Sequence, residues 1–290
     1  MGLWAAPDGQ TMWMSSKFQL WRFANALTAS QTHDGYDRVY VPRTGHTTGD
    51  LDVHDVAIDG DGNVVFVATK FGCLATLSER HSFRELWRPN FLSRLTPEDR
   101  CHLNGMAMVD GRARYVPAVS QSDVVDGWRD HRHDGGVIVD VDSDEIIASG
   151  LSMPHSPRVY RDRLWVLNSG TGQLGYVARD SGQFEEVAFL PGFARGLTFV
   201  DNYAVVGLSQ PRERQSFGGL ALDDALADRR ATAQCGLHII DLHTGAVVQW
   251  LRLHGAVTEL YDVAILPGAR RPMMLGFATT EIEQLLSIQE

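Results

Sequence analysis

Residues 236–251 read Gly236-Leu237-His238-Ile239-Ile240-Asp241, Leu242-His243-Thr244-Gly245, Ala246-Val247-Val248-Gln249-Trp250-Leu251, two short apolar runs joined by a polar turn that ends on glycine. β-Branched runs bounded by Asp and Gly pair as a hairpin, because the branched side chains suit a pleated surface and glycine accepts the turn's backbone. The same plan recurs at Leu174–Leu190, at Gly136–Leu151 and, with a longer polar turn, at Gly72–Trp87. Ahead of each copy lies a further pair of runs: Val53–Thr69, Leu103–Val119, Arg158–Asn168 and Ala194–Ser209. A repeat of about 40 to 50 residues decides the architecture before any single element does. Each unit predicts one antiparallel sheet of four strands, the first pair inner and the hairpin outer.

A first copy begins at Leu3 and passes through Met12–Met14 and Gln19–Phe23 to Val39–Val41, and a sixth opens at Glu259–Leu266 and continues through Met273–Ala278. The expected fold is all-β: one β-propeller domain over residues 1–290, with about six four-stranded blades and seven as the upper alternative. A sandwich would hold too few strands. An unpaired edge is costly in a ring of sheets, so the expectation is that either Glu283–Ile288 closes it or the sequence begins later than those of its relatives. Two stretches break the period, 121–135 and 211–234, the second with a helix-like run at Leu220–Arg229. Long loops on a rigid scaffold carry function, so both are candidate lids and the place for a protein partner.

The 290 residues carry a formal net charge of −10 with acids and bases interspersed, which leaves no basic field for a phosphate backbone. No nucleic-acid partner is expected. No run approaches the ~18 apolar residues of a membrane span, and the first residues do not read as a secretory leader, so no membrane is expected. Three cysteines, Cys73, Cys101 and Cys235, fit neither a disulfide framework nor a metal knuckle. That usage points to a reducing compartment, the cytoplasm.

Aligning the repeats on their first strands places Val56, Met106, Arg158, Leu197 and Val263 in one column. Two positions upstream stand His54, Asn104, Ser156, Arg195 and Tyr261, and two further upstream Asp52, His102, Pro154, Phe193 and Glu259, with His155 between the columns. These positions cross the channel mouth, where side chains from every blade converge. Imidazoles, carboxylates and a carboxamide there are metal-ligand and acid–base types. His54, His102 and His155 read as metal ligands, with Asn104 beside them and Asp52, Asp55, Glu259 or Asp262 supplying an oxygen. Such a set suits Fe, Zn, Mn or Cu better than Ca. Glu259 and Asp262 are candidate proton-transfer groups, and Arg158 with Arg195 could clamp an anionic substrate through paired donors. The alternative is structural: Asp and His at strand starts that bond turn backbone, and arginines paired with ring carboxylates.

Other patterns carry less. Gly170-Thr171-Gly172-Gln173-Leu174-Gly175 joins strand to strand with no helix to receive a pyrophosphate. Asp59-Gly60-Asp61-Gly62-Asn63 has Val64 where a calcium loop needs glycine and Lys70 where it needs an acid. Both are turns. Asp130-His131-Arg132-His133-Asp134 reads as a solvated charged loop, and no nucleophile elbow occurs.

The segments Leu51-Asp52-Val53-His54-Asp55, His102-Leu103-Asn104-Gly105, His155-Ser156-Pro157-Arg158, Leu167-Asn168-Ser169-Gly170-Thr171-Gly172 and Glu259-Leu260-Tyr261-Asp262-Val263 resemble a bacterial family of conserved hypothetical proteins, a domain of unknown function. The resemblance spans nearly the whole chain and implies a family but no activity. A looser similarity, through Asn104-Gly105, His54 and His155, is to gluconolactonase-type propellers and virginiamycin B lyase. It implies a divalent cation at the channel mouth. The expected function is therefore a metal-dependent enzyme acting on a small anionic metabolite or a peptide by oxidation, hydrolysis or elimination. The alternative is a non-catalytic propeller that binds a protein, peptide or small ligand.

Overall fold

The computed structural model describes residues 1–210, 219–286 and 288. Its strands form five sheets, each antiparallel through four consecutive strands. Blade 1 comprises Leu3–Ala5, Thr11–Ser15, Gln19–Asn25 and Arg38–Thr47, and blade 2 Val53–Ile58, Val64–Ala68, Cys73–Thr76 and Arg84–Trp87. Blade 3 holds Ala107–Val109, Arg112–Ala118, Gly136–Asp140 and Ile146–Leu151. Blade 4 holds Pro154–Tyr160, Arg163–Asn168, Gln173–Val177 and Phe184–Phe189, and blade 5 Phe193–Val200, Tyr203–Ser209, Gly236–Asp241 and Val247–Arg252. The hairpin at 236–251 is the outer half of blade 5, with Leu237 opposite Leu251 and Ile239 opposite Gln249. The protein is an all-β propeller, and apolar clusters between successive blades form its core.

The expectation of six or seven blades is corrected to five four-stranded blades. Residues 259–266 take the place of a sixth innermost strand but pair with no strand of their own. Val263, Ala264 and Ile265 line the same axial cavity as the inner strands of the five blades. Beyond them the chain is drawn onto blade 1. The Asp37 carboxylate accepts the backbone N–H groups of Arg270 and Arg271 at 2.8 and 2.9 Å, and Pro272–Met274 then pairs parallel to Arg38–Tyr40. Glu281–Gln284 forms a short helix instead of a closing strand. Its Ile282 packs with Leu285 near Val39, Val41 and Leu275. Among the described residues no helix is long and apolar enough to cross a membrane.

Ring closure is made at the axis. Asp262 Oδ2 accepts the N–H of Leu3 at 2.8 Å, joining the sixth segment to blade 1. Two equivalent bonds link other neighbours: Met106 N–H to Asp55 Oδ2 at 3.1 Å and Gly196 N–H to Ser156 Oγ at 3.0 Å. The segments approach so closely that a Cβ on Gly196 would lie 2.5 Å from Val263 N, and one on Gly2 2.6 Å from the Asp55 carbonyl carbon. Gly196 and Gly150 share a left-handed φ of 76° and 78°, but nothing lies within 4 Å of a Cβ at Gly150. Gly150→Ala is therefore expected to cost about 1 kcal/mol from backbone strain alone. Gly196→Ala should cost about 1–3 kcal/mol more, because the added methyl must push two inner segments apart. Urea unfolding of the two variants measures the difference, and equal losses would refute the close-approach account.

Candidate functional site

The inner strands of blades 2, 4 and 5 begin with a bulge, which re-aims the residues beside it toward the axis. In blade 2 the pairing skips from Val53 to Val56, in blade 4 from His155 to Arg158, and in blade 5 from Arg195 to Leu197. His54 and His155 occupy the same local geometry. Each places Nδ1 on the carbonyl oxygen two residues back, Asp52 O at 2.9 Å and Met153 O at 2.8 Å. Asp52 and Met153 share the left-handed backbone, φ 52° and 48°, that aims those carbonyls. The ring position belongs to His155, one residue from the Ser156 of the aligned column. Ser156 lies a layer deeper, with Asp55 and Asp262.

Both imidazoles are held well below the ordinary histidine pKa, first by burial and then by nearby positive charge, His102 and Arg195 for His54 and Arg195 for His155. They are neutral at pH 7. A neutral ring facing a carbonyl must donate from that nitrogen, so Nδ1 carries the proton and Nε2 the lone pair. Thr69 confirms this for His54: its hydroxyl donates to Leu103 O at 2.7 Å and so accepts from Nδ1 at 2.9 Å.

His102 arrives by a different route. It stands two residues ahead of Asn104 in left-handed backbone, φ 54°, and its Nδ1 lies 2.9 and 2.8 Å from the two oxygens of Asp99. The Asp99 carboxylate also accepts Trp128 Nε1–H at 2.8 Å, and the Trp128 ring stacks on His102 at 4.2 Å. The His54 ring is 5.0 Å from His102 and 6.4 Å from His155, centroid to centroid. Asn104, 2% exposed, stands on blade 3 between the blades of His54 and His155. Its Oδ1 and Nδ2, like His155 Nε2, are buried with no protein hydrogen-bond partner. A cavity of about 530 Å³ opens over this ring, lined among others by Lys17, Asp52, His54, His102, Arg195 and Tyr261. As the side chains stand, no three His, Cys, Asp or Glu residues among the described residues are arranged to hold a metal ion.

The remaining sequence-predicted residues are dispersed. The Asp52 side chain is half exposed at the rim, 3.7 Å from His54 Nδ1. Arg195 is buried at the level of the imidazoles, its guanidinium 5.3 Å from the rings of Phe193 and Tyr261. Arg158 lies one layer below, held by Asp55 at 2.8 and 3.3 Å and by the carbonyls of Met106 and Pro157. It does not pair with Arg195 into a fork. Asp262 stands 3.9 Å from Arg158 in the same deeper layer. Glu259 is half buried outside the cavity lining, where its charge reaches the Cys235 thiol. Asp99, Trp128 and Thr69 escaped the sequence reading. A carboxylate three residues ahead of His102 was the one local signal.

A family model described as a domain of unknown function, DUF4915, matches residues 1–275. The chain belongs to this family. No curated protein matches the DUF4915 chain. Among solved structures it is similar to virginiamycin B lyase from Staphylococcus aureus, with 9% identity and a TM-score of 0.46 over 87% of this chain and 69% of that one. A protein of unknown function from Bacteroides caccae shares 14% identity, TM-score 0.45, over 84% and 73%. The computationally designed Ika8 protein shares 14% identity, TM-score 0.40, over 87% of this chain and 64% of its own, less than two thirds of its length.

Burial, and then the Asp55 charge, push the Asp262 carboxyl from its ordinary 3.8 up to about 7, against the pull of Arg158 and of the Leu3 and Val263 N–H groups. The folded state therefore holds a proton that the unfolded chain releases near pH 4. That contribution to stability is fully present below about pH 4 and is lost as pH rises through about 7. The depressed pKa values of His54 and His155 act in the opposite sense, adding stability as pH rises through about 6.5, so the Asp262 contribution is read as a difference between two proteins. Between about pH 5 and about pH 8 the urea midpoint of the DUF4915 protein should fall relative to that of Asp262→Ser, which keeps an acceptor for Leu3 N–H as Ser156 does for Gly196, and a pH-independent difference would count against it.

Proposed function

We propose that this DUF4915 protein is a metal-dependent enzyme whose site is the channel mouth, acting on a small anionic metabolite or a peptide. One observation carries the reading: all three mouth imidazoles commit Nδ1 to an oxygen, and the carboxamide of Asn104 and Nε2 of His155 lie buried without protein partners. Metal-ligating histidines characteristically spend their second nitrogen in this way. A ring centroid stands about 3.2 Å from an ion bonded through Nε2, so two ligating rings lie within roughly 6.4 Å of each other. The 5.0 Å from His54 to His102 lies within that limit, and the 6.4 Å from His54 to His155 reaches it only with those two rings on opposite sides of the ion. His54, His102 and His155 would hold the ion with Asn104 Oδ1, leaving Asp52 at the rim. Nitrogen-rich donors favour Fe, Zn, Mn or Cu over Ca.

When bound, such an ion supplies Lewis acidity toward a substrate oxygen or a water. The chain's own residues would do the rest. Arg195, level with the imidazoles, would orient an anionic group. Asp262, with its raised proton affinity, would hold or release a proton near neutral pH from the layer beneath the imidazoles, and Glu259, outside the cavity lining, would reach that task only by a movement of its segment. The buried thiols of Cys73, Cys101 and Cys235 accord with a cytoplasmic location.

A second reading is a non-catalytic binding module for a protein, peptide or small ligand. It is favoured by the side-chain arrangement as it stands, which among the described residues brings no three acidic, imidazole or thiol groups together around an ion. Asn104, with donor and acceptor both unpartnered, suits a polar ligand equally well.

Elemental analysis of protein purified without a metal-affinity step separates the two. The enzyme reading expects stoichiometric Fe, Zn, Mn or Cu that is lost in His54→Ala and in His155→Ala while the far-ultraviolet spectrum is kept. Ion at about 100 times its dissociation constant should stabilise the native protein by about 2.7 kcal/mol and leave those variants unmoved. Metal-free protein, with no ion shifting its unfolding, would sink the enzyme reading and leave the module.

A further inference from the structure

We propose that Asp99, braced by Trp128 of the first insertion, is the positioning residue that holds His102 in its Nδ1–H form and so presents Nε2 as the unprotonated nitrogen at the mouth. This deepens the functional reading above and rests on it for the ligand, but the tautomer can be tested without any ligand.

The geometry is over-determined. Asp99 offers both oxygens to His102 Nδ1, and the oxygen at 2.8 Å is also the one that takes Trp128 Nε1–H. The carboxylate thus satisfies two ring donors, one of them 29 residues along the chain from Asp99. Both Asp99 and His102 adopt left-handed backbone, φ 43° and 54°, which non-glycine residues hold only where their surroundings enforce it. Trp128, 3% exposed, lies within 127–131, a short 3₁₀ turn of the first insertion, and stacks at 26° on the imidazole. The insertion read as a lid therefore forms part of the wall that fixes His102. Its indole leaves the ring one orientation, and the carboxylate leaves it one tautomer. His54 and His155 reach the same tautomer through backbone carbonyls, so all three rings present the same nitrogen.

Asp99→Asn tests this with almost no change of shape. Both carboxylate oxygens lie within 2.9 Å of Nδ1, so whichever way the carboxamide is turned its NH₂ is set against that nitrogen, which makes Nδ1 an acceptor and moves the imidazole proton to Nε2. Two-bond ¹H–¹⁵N correlation spectra of the full chain, at a pH where the imidazoles are neutral, report the tautomer of each histidine. His102 is expected as Nδ1–H in the native protein and as Nε2–H in Asp99→Asn, with His54 and His155 unchanged and Asp99→Glu restoring the native pattern. His102 remaining Nδ1–H in Asp99→Asn would overturn the proposal. Cobalt(II), followed by its visible absorption, is the second probe. If the native protein binds it through His54 and His155, Asp99→Asn should weaken binding about 10- to 100-fold. Trp128→Phe, which keeps a stacked ring but loses the N–H, should weaken it less. Unchanged cobalt affinity in Asp99→Asn would overturn the positioning role. If no cobalt binds the native protein while the tautomer still shifts, the metal reading fails and the role of Asp99 stands.

Discussion

The innermost segments of the propeller meet at the axis more closely than two ordinary residues allow. The ring solves this by alternation. One segment brings a glycine, Gly2, Gly105 or Gly196, and the neighbour brings a short polar side chain, Asp55, Ser156 or Asp262, close enough to accept the N–H just past Gly2 and Gly105 and that of Gly196 itself. At Gly196 a bulge also breaks the strand ladder at this height, so its N–H needs an acceptor from elsewhere. Six segments can share one axis because three of them give up side chains there. This also explains how five sheets close: the sixth segment has no sheet behind it, yet supplies the last acceptor, Asp262, to Leu3.

Carboxylates at two of the three acceptor positions create a cost that the rest of the channel must offset. Asp55 and Asp262 are buried together, and Arg158, reaching in from blade 4, is the cation between them. Removing one partner of such a cluster would strand a buried charge, which is why Arg158 is spent on structure. The result is a layered channel. A layer of Asp55, Arg158 and Asp262 underlies a layer of imidazoles and a carboxamide, and Arg195 beside the upper layer disfavours imidazolium at His54 and His155. The lone pairs at the mouth are thus a product of the electrostatics as much as of residue type.

Much of this was legible in the sequence. The hairpins were readable because turns such as Leu242–Gly245 sit between runs whose alternation survives burial, and they fall where expected in the outer halves of blades 2 to 5. The sixth blade was not, because Asp262-Val263-Ala264-Ile265 repeats Asp55-Val56-Ala57-Ile58 residue for residue yet lacks partner strands, and periodicity reports a strand's pattern without its neighbours. The one-residue error at Ser156 has a local cause: Ser156-Pro157 form the bulge between His155 and Arg158, and an alignment on strand columns cannot see it. Asp99 and Trp128 were invisible for a different reason. Their bond spans 29 residues and depends on two left-handed backbone positions that no composition signals.

The two breaks in the repeat belong to one structure. Trp128 of the first insertion shares an apolar cluster with Leu220, Leu222 and Leu226 of the second, closed by Val119, Met153 and Phe193 from the blades. The helix Ala221–Asp228 contributes its one buried stripe, Leu222 and Leu226, to that cluster, while residues 211–218 of the same insertion lie outside the described residues. Two members of the cluster touch the imidazoles directly, Trp128 stacked on His102 and Phe193 edge-on to His155 at 5.3 Å. Close-packed apolar groups transmit displacement because they leave little free volume to absorb it. A shift of the helix would therefore be felt at both rings together. The insertions hold the mouth from above as the alternating glycines and acceptors hold it from below, and the imidazoles lie between two layers that cannot easily move independently.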